Sequence, residues 1–161
     1  MSIVVGLCAN SCGKPEYLQT IGRTGFAKSP QGHPIILVQP CGGDFGKIDG
    51  LALAIMDMED SVLDSGEYRL SHSTSALISF DLSSPAADWA PFRELAATAK
   101  KDETIYAHAF SSESEVRTVP VRVRLSEVDA LDQNSVLIGS SIDSDRFPQQ
   151  RISIEAFTSC N

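Results

Sequence analysis

The chain has 161 residues, of which 42% are hydrophobic, and its 21 acidic and 13 basic residues give a formal net charge of −8. A chain of this length can bury about 70% of its unfolded surface, so we expect one domain spanning residues 1–161 whose core is stable without disulfides or metal ions. The acidic balance argues against nucleic-acid binding, because that affinity comes from lysine and arginine side chains that release counterions from phosphates.

The first half of the chain predicts short strands separated by loops. The strand segments are apolar and bounded by glycine, proline or polar residues, and they are residues 3–7, 35–38, 51–58, 68–70 and 76–80. Segment 35–38 is the clearest, because Pro34 and Pro40 fix both its ends. Segment 51–58 also has helix-forming composition, but its shortness favours a strand. Residues 17–26 fit neither period and predict irregular structure or a frayed strand.

One principal helix is predicted at about residues 86–101. Ser84-Pro85 and residues 88–91 carry the side-chain oxygens and prolines that favour a helix start. The apolar residues then recur at a spacing that lines one helical face, and they are Trp89, Phe92, Leu95, Ala96 and Ala99. Lys100 and Lys101 suit the exposed carbonyls of a last turn. We therefore expect Trp89, Phe92 and Leu95 to be buried together.

The second half of the chain is dominated by period-two patterns. The predicted strands are residues 104–110, 119–125, 136–142 and 151–157. Within the second of these, the valines share one face and Arg122 and Arg124 share the other, while Pro120 marks an edge, a strand start or a bulge. The pattern as a whole predicts a mainly β protein, a β-sandwich or small β-barrel with one principal α-helix.

Four cysteines are present, Cys8, Cys12, Cys41 and Cys160, and their pairing cannot be deduced from spacing. Residues 1–5 lack a basic signal-peptide region and no run approaches the ~18 apolar residues of a membrane span. We therefore expect cytoplasmic synthesis without a signal peptide, no membrane partner, and reduced, buried thiols. Export or incorporation into a virion stays open. Cys8, Cys12, His33 and Cys41 offer zinc-ligand chemistry, but a whole predicted strand separates the last two, so free thiols are favoured.

No residue set specifies a reaction. A cysteine nucleophile needs a nearby histidine, and nothing selects among His33, His72 and His108, the last of which shares a strand face with Tyr106 and Phe110 and is expected to be packed there. The serines of 71–75 lack a nucleophile elbow, and Gly6 to Lys14 has the wrong spacing for a phosphate loop. We assign no catalytic, cofactor-binding or metal-binding residue and expect no enzyme and no cofactor.

Two segments of opposite charge stand out. Residues 44–66 form the most negative segment, in which the acidic residues are Asp44, Asp49, Asp57, Glu59, Asp60 and Asp64. These acids, like Asp143 with Asp145, do not follow the calcium-loop pattern. Arg122 and Arg124, with Arg117 and Arg151, provide the opposite charge. If the two regions lie at opposite ends of the fold, they favour a head-to-tail homo-oligomer, as do exposed sheet edges.

The layout from Ser79 onward resembles a known family. A strand ends in Phe80-Asp81-Leu82-Ser83-Ser84-Pro85, a helix carries Leu95 and Ala96, and strands follow at 104–110, 123–128 and 151–157. This order is similar to that of the tube-forming family that includes contractile-phage tail tube proteins and the haemolysin-coregulated protein of type VI secretion. The resemblance covers about half the chain and implies a β-sandwich or barrel with one helix that assembles into rings without catalysis.

Three functional hypotheses follow from these patterns. The first is a non-catalytic structural subunit that assembles into a ring, tube or virion-like particle with protein partners. The second is a monomeric β-sandwich binding module whose concave side or loop 42–50 holds a protein or a small ligand. The third is a small cysteine-dependent or metal-dependent enzyme.

Overall fold

The computed structural model describes residues 19–139 and 149–160 and contains eleven strands in that part of the chain. The strands are β1 (Gln19–Lys28), β2 (Pro34–Gln39), β3 (Ile48–Met56), β4 (Val62–Thr74), β5 (Ile78–Asp81), β6 (Trp89–Arg93), β7 (Thr104–Phe110), β8 (Val116–Val119), β9 (Val121–Arg124), β10 (Ser135–Ile138) and β11 (Gln150–Ser153). The helices are a 3-10 turn at Gly43–Phe45, α1 (Leu125–Asp129) and α2 (Ile154–Thr158). The protein is mainly β, which confirms the predicted fold class.

The strands form one sheet that curls into a nearly closed barrel. The hydrogen-bonded path runs β11-β10-β1-β8-β7-β3-β4-β6, while β2 pairs with β1 and β5, and β9 pairs with β7. All pairs are antiparallel except that of β1 with β8. Strand β5 pairs with β2 and strand β6 pairs with β4, but β5 and β6 do not pair with each other. We call the gap between these two described strands the seam.

Two apolar clusters hold the fold together. Alternate residues of β3 and β7 point into the barrel, where Leu53 stands opposite Ala107 and Ile55 opposite Ile105, and all four are buried. A smaller cluster lies around Phe157 of α2, which is 0% exposed. Gly25 allows this second packing, because a Cβ at that position would lie 2.5 Å from Val136 Cγ1 and 2.9 Å from Phe157 Cε2. Helix α2 therefore covers one side of the sheet.

The prediction of a helix at 86–101 is wrong, because Trp89–Arg93 forms strand β6 and residues 94–103 have no regular structure. Leu70 stands opposite Trp89 in the register of β4 with β6. Trp89 is 5% exposed whereas Phe92 is 76% exposed, so the two side chains lie on opposite faces, as residues three apart do in a strand. The predicted burial of Trp89 is confirmed and that of Phe92 is wrong.

Helices occur instead where strands were expected to continue. Leu125–Asp129 ends the segment predicted as strand 123–128, and Ile154–Thr158 replaces the second half of the strand predicted at 151–157. Glu127 accepts the backbone N–H of Arg124 at 2.7 Å, and the Ser153 hydroxyl accepts that of Ala156 at 3.1 Å, so both short helices carry caps that compete with a strand.

The remaining strand predictions are mostly confirmed. Pro120 separates β8 from β9. Of the two alternatives for 17–26, irregular structure or a frayed strand, the described part is a strand, β1, whose register with β8 shifts between Thr20 and Arg23. The strand predicted at 136–142 is confirmed as far as Ile138, and Gly139 no longer belongs to it. Residues 140–142, like the segment 3–7, lie outside the described residues. Within the described chain, no helix has the length and apolar character of a membrane span.

Candidate functional site

A pocket of about 410 Å³ lies at the seam, between the end of β5 and the residues that follow β6. Its floor consists of inward-facing side chains from four strands, Leu53, Tyr68, Phe80 and Ile105, each no more than 5% exposed. The rim carries the exposed residues Ser83, Glu94 and Thr98. The pocket therefore has a buried, mainly apolar floor and a polar entrance, which is the usual composition of a small-molecule site.

Residues 94–99, which we call the strap, form the outer wall of the pocket. The strap has no regular structure, and side chains of β4 hold it in place. The Asp64 carboxylate accepts the backbone N–H groups of Ala96 and Ala97 at 2.8 and 2.7 Å, and the Tyr68 hydroxyl accepts that of Leu95 at 3.0 Å. These bonds satisfy three backbone donors that a helix would otherwise have used.

The carboxylates around the pocket are held in their ionised form. The backbone N–H of Ala97, followed by those of Ser65 and Ala96 and the charge of Arg93, lowers the pKa of Asp64 against a smaller opposing effect of burial. Partial burial raises the pKa of Asp81, but the hydroxyl and N–H of Ser83 together with the Ser84 N–H outweigh it and lower that pKa overall. With Glu94 at the rim, the entrance is negative.

An aromatic cluster backs the pocket floor. The ring centroids of Tyr68 and Phe80 are 4.6 Å apart, and those of Phe80 and Trp89 are 5.6 Å apart in an edge-on arrangement. Trp89 Nε1 also donates to the Ser79 carbonyl oxygen at 3.1 Å, which joins β6 to β5 across the seam. The rings therefore fix the shape of the floor without any ligand.

The expectation of reduced cysteines is wrong for Cys41 and Cys160, which form a disulfide with Cα atoms 5.4 Å apart. The fold brings them together because α2 returns the end of the chain to the paired strands β1 and β2, where Arg23 of β1 donates to the Ser159 carbonyl oxygen at 2.8 Å. A bridged Cys41 cannot serve as a zinc thiolate beside His33, and Cys8 and Cys12 lie outside the described residues. Across residues 19–139 and 149–160, no group of three or more His, Cys, Asp or Glu is placed to hold a metal ion.

The three histidines do not line the pocket. His33 and His72 are exposed, whereas His108 is half-buried on the outer face of β7, with its ring centroid 5.6 Å from Tyr106 and 6.1 Å from Phe110. The predicted packing of His108 is thus confirmed. Burial and the nearby charge of Arg117 lower the pKa of His108 to about 4, with Glu67 opposing them.

The acidic segment and the arginine face meet at one point. Arg122 forms an ion pair with Asp60 in the turn between β3 and β4. Asp57 Oδ1 in the same turn accepts the backbone N–H groups of Glu59 and Ser61 at 2.8 and 2.9 Å, so it shapes the turn. Asp143 and Asp145 lie outside the described residues. The geometric condition for a head-to-tail charge contact is therefore not met by Arg122.

The roles of Asp64, Tyr68 and the strap were missed in the sequence. The only signal was the acidic character of Asp64, which does not distinguish it from its neighbours. No protein-family model matches the chain, and no curated protein or solved structure shows significant similarity to it.

Proposed function

We propose that the protein is a non-catalytic binding module whose seam pocket holds the apolar part of a small molecule. The observation that carries this proposal is the buried floor of Leu53, Tyr68, Phe80 and Ile105 below a polar rim. The volume of about 410 Å³ lies within the roughly 300–1,000 Å³ common for ligand pockets.

The polar groups of the pocket support binding over catalysis. Asp64 accepts two strap N–H groups, and the Tyr68 hydroxyl accepts a third, so both side chains hold the pocket wall. A general base must lie within hydrogen-bond reach of the proton that it removes, and a hydroxyl or thiol nucleophile needs such a base beside it. Among the described residues that line the pocket there is no histidine or cysteine for that purpose, and the one carboxylate, that of Glu94, is exposed at the rim.

The test is titration with N-phenyl-1-naphthylamine, a neutral fluorescent probe that brightens in apolar surroundings. We expect saturable binding of one probe per chain. Ala99→Phe adds a ring to a half-buried strap residue that lines the pocket, and should weaken binding at least about tenfold. Ala90→Phe makes the same change on β6 outside the pocket lining and should leave binding unchanged. Unsaturable binding, or equal affinity in both variants, would refute the proposal.

Self-assembly into a ring, tube or virion-like particle is a second proposal, favoured by one observation. Phe92 is 76% exposed on β6, which has a free edge among the described strands. Exposed apolar side chains beside an unpaired edge promote association with another copy of the chain. The Cys41–Cys160 disulfide also fits a particle that works outside a reducing cytosol. Light scattering that gives only the 17.3 kDa monomer at high concentration, with no rings in electron micrographs, would contradict assembly.

A further inference from the structure

One buried polar group in the pocket has an unused hydrogen-bond donor. Tyr68 is 5% exposed, and its hydroxyl oxygen accepts the Leu95 N–H at 3.0 Å. A phenolic hydroxyl both accepts and donates, yet across residues 19–139 and 149–160 no acceptor receives the Tyr68 O–H. Buried donors in folded proteins are almost always satisfied, so this one points to a partner that enters the pocket.

The surrounding groups do not supply that partner. The rest of the floor, Leu53, Phe80 and Ile105, is apolar, and the Asp64 carboxylate is bonded to the backbone of the strap. The Tyr68 ring is fixed against Phe80, with centroids 4.6 Å apart, so the hydroxyl is held at the pocket wall. Its free donor is preorganised for an acceptor atom on a bound molecule.

The charge of the rim narrows the chemistry of that acceptor. Glu94 lies at the entrance, and the carboxylates of Asp64 and Asp81 lie near it. These three carboxylates outnumber the neighbouring guanidinium of Arg93, so a ligand carboxylate would meet mainly like charge. An ammonium group has no lone pair to accept the Tyr68 O–H. A neutral oxygen, as in a ketone, ester or ether, satisfies both conditions.

We infer, on the basis of the proposed binding function, that the pocket takes a neutral, mainly apolar molecule with an acceptor oxygen that receives a hydrogen bond from Tyr68. Tyr68 is then the specificity-determining residue of the site. The apolar body of the ligand lies on Leu53, Phe80 and Ile105, and its acceptor oxygen lies toward β4.

The experiment compares benzophenone, diphenylmethane and 4-benzoylbenzoate as competitors of N-phenyl-1-naphthylamine. The first two differ by a carbonyl in place of a methylene, and the third adds a carboxylate. Because one neutral hydrogen bond changes affinity by roughly 3–10-fold, we expect benzophenone to bind that much tighter than diphenylmethane. Tyr68→Phe should reduce this ratio to about one, whereas Tyr106→Phe, on the outer face, should keep it. Benzoylbenzoate should bind more weakly than benzophenone, and Glu94→Gln should narrow that gap.

The possible failures separate the two proposals. If no probe binds wild-type protein, the proposed binding function is wrong and this inference falls with it. If benzophenone and diphenylmethane bind with equal affinity, because water already satisfies the Tyr68 hydroxyl, the inference fails while the proposed binding function stands. A ketone preference that survives in Tyr68→Phe also overturns it. Thermal unfolding of each variant, together with retained diphenylmethane binding, excludes a folding defect as the cause.

Discussion

Replacing Trp89 with alanine tests the strand that took the place of the predicted helix. Trp89 is 5% exposed, its ring packs edge-on against Phe80, and its Nε1 donates to the Ser79 carbonyl oxygen. Truncating a buried tryptophan costs about 3–5 kcal/mol, and the lost hydrogen bond is part of that figure. For a chain of this size the melting temperature should fall by roughly 6–20 °C. Because Trp89 is the single tryptophan, urea unfolding is followed by circular dichroism instead of fluorescence.

Phe92→Ala is the matched control on the same strand. Phe92 is 76% exposed and contacts the Arg69 guanidinium at 5.8 Å from its ring centroid, an exposed cation–π contact of about 1 kcal/mol or less. The ratio of the losses of unfolding free energy in Trp89→Ala and Phe92→Ala therefore distinguishes a strand from a helix. In a helix the two residues share a face and their truncations would cost similar amounts. Comparable losses of unfolding free energy in both variants would refute the strand and its packing.

Three further predictions concern titration and the disulfide. The amide protons of the strap should shift with a common midpoint below the ordinary aspartate pKa in NMR spectra, and should stop titrating in Asp64→Asn. The lowered Asp64 pKa means that its hydrogen bonds to the strap are complete at neutral pH and are lost only as the pH falls through that lowered value. His108 should titrate near pH 4 in the folded protein. As the pH drops below about 6.5 the unfolded chain takes up the proton first, so the free energy of unfolding should decline until the pH reaches the folded pKa and stay constant below it. An NMR midpoint above about 6 would contradict this. Cys160→Ser should lower the free energy of unfolding in urea by about 2–5 kcal/mol, since the bridge closes a loop between residues 119 positions apart. Thiol titration of denatured, unreduced wild-type protein should count at most two free thiols, because two of the four cysteines are in the bridge.

Strands whose burial shows in the order of polar and apolar residues could be predicted from the sequence. Residues 104–110 alternate in polarity and form β7 with those bounds, while the run 35–38 lies within β2 between its two prolines. Both signals arise because one or both strand faces are buried over consecutive residues. Residues 51–56 of the segment 51–58, which also fitted a helix, lie in β3 because β4 and β7 pair with that strand on either side.

Segment 86–101 was predicted wrongly because its local signals favour a helix and distant residues decide otherwise. Tyr68 binds the Leu95 N–H from 27 positions away, and Asp64 binds Ala96 and Ala97 from 32 and 33 positions away. Tertiary contacts of this kind override propensities worth a few tenths of a kcal/mol per residue, roughly the range separating most residue types. The pocket was unpredictable for the same reason, since its floor comes from four strands with no shared motif.

The incomplete closure of the barrel and the pocket have one physical origin. Strands β5 and β6 face each other across the seam, yet the link between them is a side-chain bond from Trp89 to the Ser79 carbonyl instead of a ladder. Pro91, in the middle of β6, stands opposite Tyr68 of β4 and has no backbone N–H that it could donate to a second neighbouring strand. The strap then leaves β6 along β4, held by Asp64 and Tyr68, and this divergence from β5 creates the space that the pocket occupies. A barrel that closed with a full β5–β6 ladder would bury the same apolar floor and have no pocket, so the proposed binding site depends on the residues that keep the two strands apart.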